Sequence, residues 1–214
     1  MIKIESLIRS RMPYLVKKIY HITREIFLSN KKVNRDMWKL HIDQSLLNNC
    51  LFCENRQTML DFLPKNSIVA ELGTETGNFA KQIIERTSPI ELHLCDVNFT
   101  GFDNNNIISG QSVKKHEKTT LAFLDTFPEE FFDWIYIDAS HAYKDVVDDI
   151  EAAKNKVKKG GLLIFNDFAH INPSLARFGV KRAVSEFIKN ERWNVKYFAL
   201  HPLALYDIAI EKPS

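Results

Sequence analysis

The hydrophobic rhythm of the chain changes near residue 67. From there on, short runs rich in Val, Ile, Leu, Tyr and Phe alternate with longer stretches in which apolar residues recur three and four apart. The short runs predict strands at 67–72 (SIVAEL), 90–96 (IELHLCD), 106–109 (NIIS), 132–138 (FDWIYID), 161–167 (GLLIFND), 194–200 (NVKYFAL) and 204–210 (ALYDIAI). NFAKQIIERT, AYKDVVDDIEAAKNKVKK and GVKRAVSEFIKNE have the one-sided spacing of helices that cover a sheet. The alternation predicts a doubly wound α/β fold with a seven-stranded, mostly parallel sheet. Only HPL separates the final two strands, too short for a parallel crossover, so the last strand is expected to run antiparallel. The helix at about 142–158 is expected to end at KKGG, where lysines face the negative end of its dipole and a glycine can supply the left-handed stop.

Residues 1–62 show no obvious strand and read as a helical extension or cap on a main domain at 63–214. Composition then adds a charge asymmetry. The formal charge is +2, yet residues 1–39 hold ten Lys or Arg against three acidic residues. Such a segment suits either a solvated face on a packed helix or peripheral contact with an anionic membrane surface. No run approaches the roughly 20 apolar residues of a membrane span, and the first residues carry charge where a signal peptide needs an apolar core. A cytoplasmic location is therefore expected. Cys50 and Cys53 form a CxxC pair, but zinc would need two further ligands and Cys95 alone does not supply them, so reduced, buried thiols are expected.

The chain has only seven glycines, and two of them, Gly73 and Gly77, stand in ELGTETG between a predicted strand and a predicted helix. Such a turn brings backbone N–H groups and a helix N-terminus up to a ligand. A dinucleotide fingerprint would need a glycine where Glu75 stands, and a carboxylate there repels a pyrophosphate. No Gly-Lys-Ser or Gly-Lys-Thr follows, which excludes a P-loop. S-adenosylmethionine fits better, because its sulfonium and ammonium groups suit Glu71 at the strand end. Asp96, ending the next strand, can accept hydrogen bonds from ribose hydroxyls.

VAELGTETGNFA, LCDVN, IISGQS, FDWIYIDASHAYKDVVDDIEAAKNKVKKGGLLIFNDF and GVKRAVSEFI, in that order, resemble the class I S-adenosylmethionine-dependent methyltransferases. Within these they look most like the branch of small-molecule and sugar O-methyltransferases (methyltransferase domain 24-like). The resemblance covers roughly residues 60–200 and implies a Rossmann-like sheet. It implies that Gly73, Thr74 and Gly77 line the methionine and ribose side, that Asp96 binds the ribose, and that Gln111 and Ser112 lie near the adenine. Glu75 departs from the usual central glycine.

A hydroxyl acceptor must lose a proton, which a base of near-neutral pKa or a metal makes easier. Asp138 and His141 leave one strand, and Asn166 and Asp167 leave the next, where open α/β sheets place their sites. In metal-dependent sugar O-methyltransferases of this branch, an aspartate three residues before a histidine supplies a metal ligand and a base. The matching residues are Asp138 and His141, with Asp138, Asn166 and Asp167 as the set for Mg2+. Asn166 replaces an acidic residue and weakens the metal case. His141 also suits capping the following helix, Asp138 also suits contact with the cofactor's amino group, and His170 is a second candidate base. Asp145, Asp148 and Asp149 read as a solvated helix face. The expected activity is O-methylation of a small-molecule or sugar hydroxyl. The alternatives are a catalytically inactive binding protein of the same fold, or a methyltransferase acting on nucleic acid or protein. No basic stripe interleaved with aromatics favours nucleic acid, and a homo-oligomer is compatible with the sequence.

Overall fold

A computed structural model describes residues 41–107, 112–169 and 179–214, and one compact unit runs from His41 to Ser214. The basic segment ahead of it, Gln111 and His170 lie outside the described residues. The elements are β1 (Leu51–Cys53), α1 (Arg56–Phe62), β2 (Ile68–Leu72), α2 (Asn78–Thr87), β3 (Glu91–Asp96), β4 (Val113–Glu117), α3 (Thr120–Leu124), β5 (Phe132–Ile137), α4 (Tyr143–Ala153), β6 (Val157–Phe165), α5 (Val180–Glu191), β7 (Asn194–Ala199) and β8 (Asp207–Glu211). They build one sheet in the order β1-β7-β8-β6-β5-β2-β3-β4. Every pairing is parallel except those of β8 with β6 and β7, as the short final connection requires.

Strand alternation assigns the two faces. Ala70, Leu72, Ile135, Ile137, Leu163 and Phe165 point to one side, where they pack on Phe123 of α3, Val146 and Ile150 of α4, and Val184 and Ile188 of α5. Val69, Trp134, Tyr136, Leu162 and Ile164 point to the other, against Met59 and Leu60 of α1 and Phe79 and Ile83 of α2. Both faces are covered, so the central strands are apolar throughout.

Three expectations change. The sheet has eight strands rather than seven, because Leu51–Cys53 pairs with β7 inside a stretch expected to be helical. The third of the expected strands is displaced: Asn104–Asn106 is a turn of 3₁₀-helix, and the strand is Val113–Glu117. It is the outer edge strand, and VKKHE exposes Lys114, Lys115 and Glu117, so it lacks the apolar alternation of its neighbours. Finally, α4 ends at Ala153, ahead of KKGG. Val157 is fully buried and pairs with Phe132, which draws 157–160 into β6.

The extended run at β1 also settles the thiols. Three residues of strand separate the Cα atoms of Cys50 and Cys53 by about 10 Å, beyond the roughly 7 Å that a disulfide spans. All three cysteines are reduced.

Candidate active site

The site lies at the carboxyl edge of the parallel strands. The β2–α2 turn approaches the end of β5 so closely that a Cβ at Gly73 would lie 2.1 Å from the Asp138 carbonyl oxygen, and Gly73 has φ +87°. Only glycine fits both the space and the conformation. Gly77, at φ +80°, starts α2 against the ring of Phe102. Between them Glu75 takes the left-handed conformation, φ +48°, with a side chain present. Its N–H donates to Asp96 Oδ2 at 2.8 Å, so the carboxylate ending β3 clamps the turn while the Asn98 N–H engages its other oxygen.

A cleft of about 720 Å³ opens beside this turn, on the α3 and α4 side of the sheet. Among the described residues six carboxylates line it, Glu75, Asp96, Asp138, Asp145, Asp148 and Asp149, against Lys118 as the one lysine. Behind the turn Glu71 is buried. Burial pushes its carboxyl well above the usual range, the Thr74 hydroxyl opposes that, and Asp138 adds to it. Its Oε2 has no hydrogen-bond partner among the described residues. Burial, then the neighbouring Asp167 and Asp207, push Asp138 up to about 8. Burial and Asp145 push Asp149 up to about 7. A site with this surplus of buried acid accepts a cation and resists an anion.

The strand ends bring Asp138, His141 and Asp167 together. His141 Nε2 stands 3.6 Å from Asp138 Oδ1 and 3.6 Å from Asp167 Oδ2. The N-cap of α4 is Ala142, with no side-chain cap hydrogen bond; just ahead of it Ser140 Oγ donates to Asp145 at 2.6 Å and accepts the Ala142 N–H.

Four sequence-based expectations change here. Ser112 precedes β4 and accepts the Leu92 N–H at the amino end of the sheet, away from the cleft. With the strand moved to 113–117, the residues at its carboxyl end are Lys118, Thr119, Thr120 and Leu121, and these line the cleft instead. Asn166 does not stand as a metal ligand. It is buried, and its amide nitrogen donates to Tyr136 Oη at 3.3 Å and Asp207 Oδ1 at 3.2 Å. Among the described residues no group of three or more His, Cys, Asp or Glu is arranged to hold a metal, so nothing in the site supports Mg2+. Asp149 is buried rather than solvated. It shares the spacing of Val146, Ile150 and Ala153 on the inner face of α4, and that periodicity was the signal for it. Arg56, Tyr136 and Asp207 border the site without any local sequence signal, since they meet only through the sheet. The Arg56 guanidinium lies 4.6 Å over the ring of Phe79, and the neighbouring Tyr136, Asp207 and Asp138 favour its charged form.

Residues 70–168 match the model of a family described as a methyltransferase domain. No curated protein matches the chain. Among solved structures, a protein from Corynebacterium glutamicum aligns with a TM-score of 0.56 at 14% identity, over 92% of this chain and 98% of that one. The N-methyltransferase NodS from Bradyrhizobium japonicum aligns at 0.52 and 17% identity, over 74% of this chain and 95% of its own. An O-methyltransferase family protein from Burkholderia thailandensis aligns at 0.55 and 16% identity, over 74% of this chain and 55% of that one. At such identities the neighbours speak for the fold alone. The glycine turn clamped by Asp96, the sheet order and the matched span agree in likening residues 70–168 of this chain to a methyltransferase domain.

Proposed function

We propose that the chain transfers a methyl group from S-adenosylmethionine to a hydroxyl of a small molecule, sugars included. The observation that carries this reading is the cleft itself, lined by six carboxylates and built on a glycine turn that leaves no room for a side chain at residue 73. The buried Oε2 of Glu71, without a partner among the described residues, and the acidic lining fit the cationic cofactor, and Asp96, at the end of β3 beside the turn, is the carboxylate assigned to the ribose. When bound, S-adenosylmethionine supplies a methyl carbon activated by sulfonium.

The chain's own part is to align the acceptor and take its proton. His141 is the residue placed for this. An imidazolium formed there lies at ion-pair distance from both Asp138 and Asp167. Asp138, with its carboxyl near 8, holds a proton at neutral pH until a cation in the cleft displaces it. Nucleic acid suits this cleft poorly, because its phosphates would meet the same carboxylates. Among the described residues no helix is long and apolar enough to cross a membrane.

Calorimetric titration with S-adenosylmethionine and S-adenosylhomocysteine tests the cofactor, with NAD as the control. A transfer assay with labelled methyl donor over a panel of hydroxyl and amine acceptors tests the reaction. Binding without transfer to any acceptor would favour the inactive binding protein, and no binding would overturn the reading.

A further inference from the structure

Beneath the site, on the α1 and α2 side of the sheet, the apolar alternation of four neighbouring strands ends in polar residues. Glu71 follows Val69 on β2, Asp138 follows Trp134 and Tyr136 on β5, Asn166 follows Leu162 and Ile164 on β6, and Asp207 precedes Ala209 on β8. Alternation therefore puts all four on one face.

Asp207 is the hub. Its Oδ2 accepts the Tyr136 hydroxyl at 2.6 Å and its Oδ1 accepts the Asn166 amide at 3.2 Å, while the nearby Asp167 backbone favours its charged form. Tyr136 Oη in turn accepts from Asn166 at 3.3 Å, with the Arg56 guanidinium close by. Asp207 is 4% exposed and Tyr136 fully buried, so each bond stands in a low dielectric, where losing a partner is costly.

Asp167 has φ +54°, a conformation that costs a residue with a side chain about 1–2 kcal/mol. It persists because the turn is tied on both sides of Asp167: Asn166 N–H to Ile137 O at 3.1 Å and Phe168 N–H to Tyr206 O at 2.8 Å. This turn is what presents the Asp167 carboxylate to His141.

We propose that Asp207 is a positioning residue for the active site, bracing the Asn166–Asp167 turn so that Asp167 and Asp138 flank His141, and that Asn166 serves as its hydrogen-bond donor. The asparagine is then required, since an aspartate there would set two anions about 3.2 Å apart with no donor between them. The proposal rests on the reading of His141 as the base of methyl transfer.

The test reads the histidine ring resonances of the full chain by NMR, with His141 assigned by its loss in H141Q. Asp207→Asn and Asn166→Asp are near-isosteric, and Tyr136→Phe replaces Asp207→Asn should that variant fail to fold. Each is expected to shift the His141 signals while His93 and His116, on β3 and β4, stay in place. The exchange D207N/N166D restores a donor opposite an acceptor, and is expected to return His141 toward its wild-type position. Unmoved His141 signals in the folded variants would overturn the proposal, as would equal movement of all histidines. A Mg2+-dependent shift confined to N166D would overturn it too, by making residue 166 a metal position. Calorimetry of the wild type with S-adenosylhomocysteine reports separately on the underlying reading.

Discussion

Asp96 Oδ2 accepts the Glu75 amide hydrogen at 2.8 Å, joining the end of β3 to the middle of the glycine turn. One carboxylate thus shapes the turn and faces the cleft. Hydrogen bonds to a charged group are worth about 1.5–3 kcal/mol each. Asp96→Ala is therefore expected to raise the dissociation constant for S-adenosylhomocysteine by roughly 10- to 100-fold, read by calorimetry. An affinity within threefold of wild type would place the ribose elsewhere.

His141 should separate from Asp96 by kinetics. As a base it touches the acceptor, so His141→Ala is expected to slow turnover by roughly 10²–10⁴-fold while cofactor affinity stays nearly intact. Loss of cofactor binding in this variant, or turnover equal to wild type, would remove it from proton transfer.

A backbone prediction tests the turn without ligand. At Gly73 a Cβ would sit 2.1 Å from the Asp138 carbonyl oxygen and 2.8 Å from Ala139 Cα, both backbone atoms that cannot swing away. The positive φ adds its own cost. Gly73→Ala is expected to lower stability by about 3 kcal/mol or more, while Gly101→Ala, which meets nothing within 4 Å, should change it little. Urea denaturation of the two variants decides it.

How much of this was legible depended on whether a residue's role was local. Strands β2, β3, β5 and β6 carry buried apolar runs, and their ends place Asp96, Asp138, His141 and Asp167 without further information. The edge strand β4 was misplaced because half its surface is water-facing and its residues are mostly charged. That single slip put Gln111 and Ser112 at the carboxyl end of the expected strand, where Lys118–Leu121 stand and line the cleft. Asn166 read as a weakened metal ligand because its partner, Asp207, lies on a strand that reaches it only through the antiparallel pairing of β8 with β6. Arg56 is similarly silent in sequence, on a seven-residue helix whose place over Phe79 is set by tertiary packing.

The buried acids make stability fall with rising pH. Asp138 stands near 8, Asp149 near 7 and Asp207 near 6, each raised first by burial above the usual value of about 4. The folded chain therefore keeps protons that the unfolded chain has released, and stability declines from about pH 4 until each group has ionised. His93 and His116 act in the opposite sense: burial lowers both, so their contribution is lost as pH falls below the usual histidine value. That opposing effect is complete by about pH 7, which leaves pH 7–9 to Asp138, Asp149 and the buried Glu71, with the three thiols, raised by burial, adding in the same sense toward pH 9. In that window the urea midpoint of the ligand-free protein should fall, and Asp138→Asn should flatten the fall and raise stability at pH 8 by about 1–2 kcal/mol. S-adenosylmethionine, placing a cation among the same carboxylates, should restore what the higher pH removes. A midpoint that stays level or rises across the window, or an Asp138→Asn variant less stable than wild type at pH 8, would mean that Asp138 is ionised at no cost in the empty site.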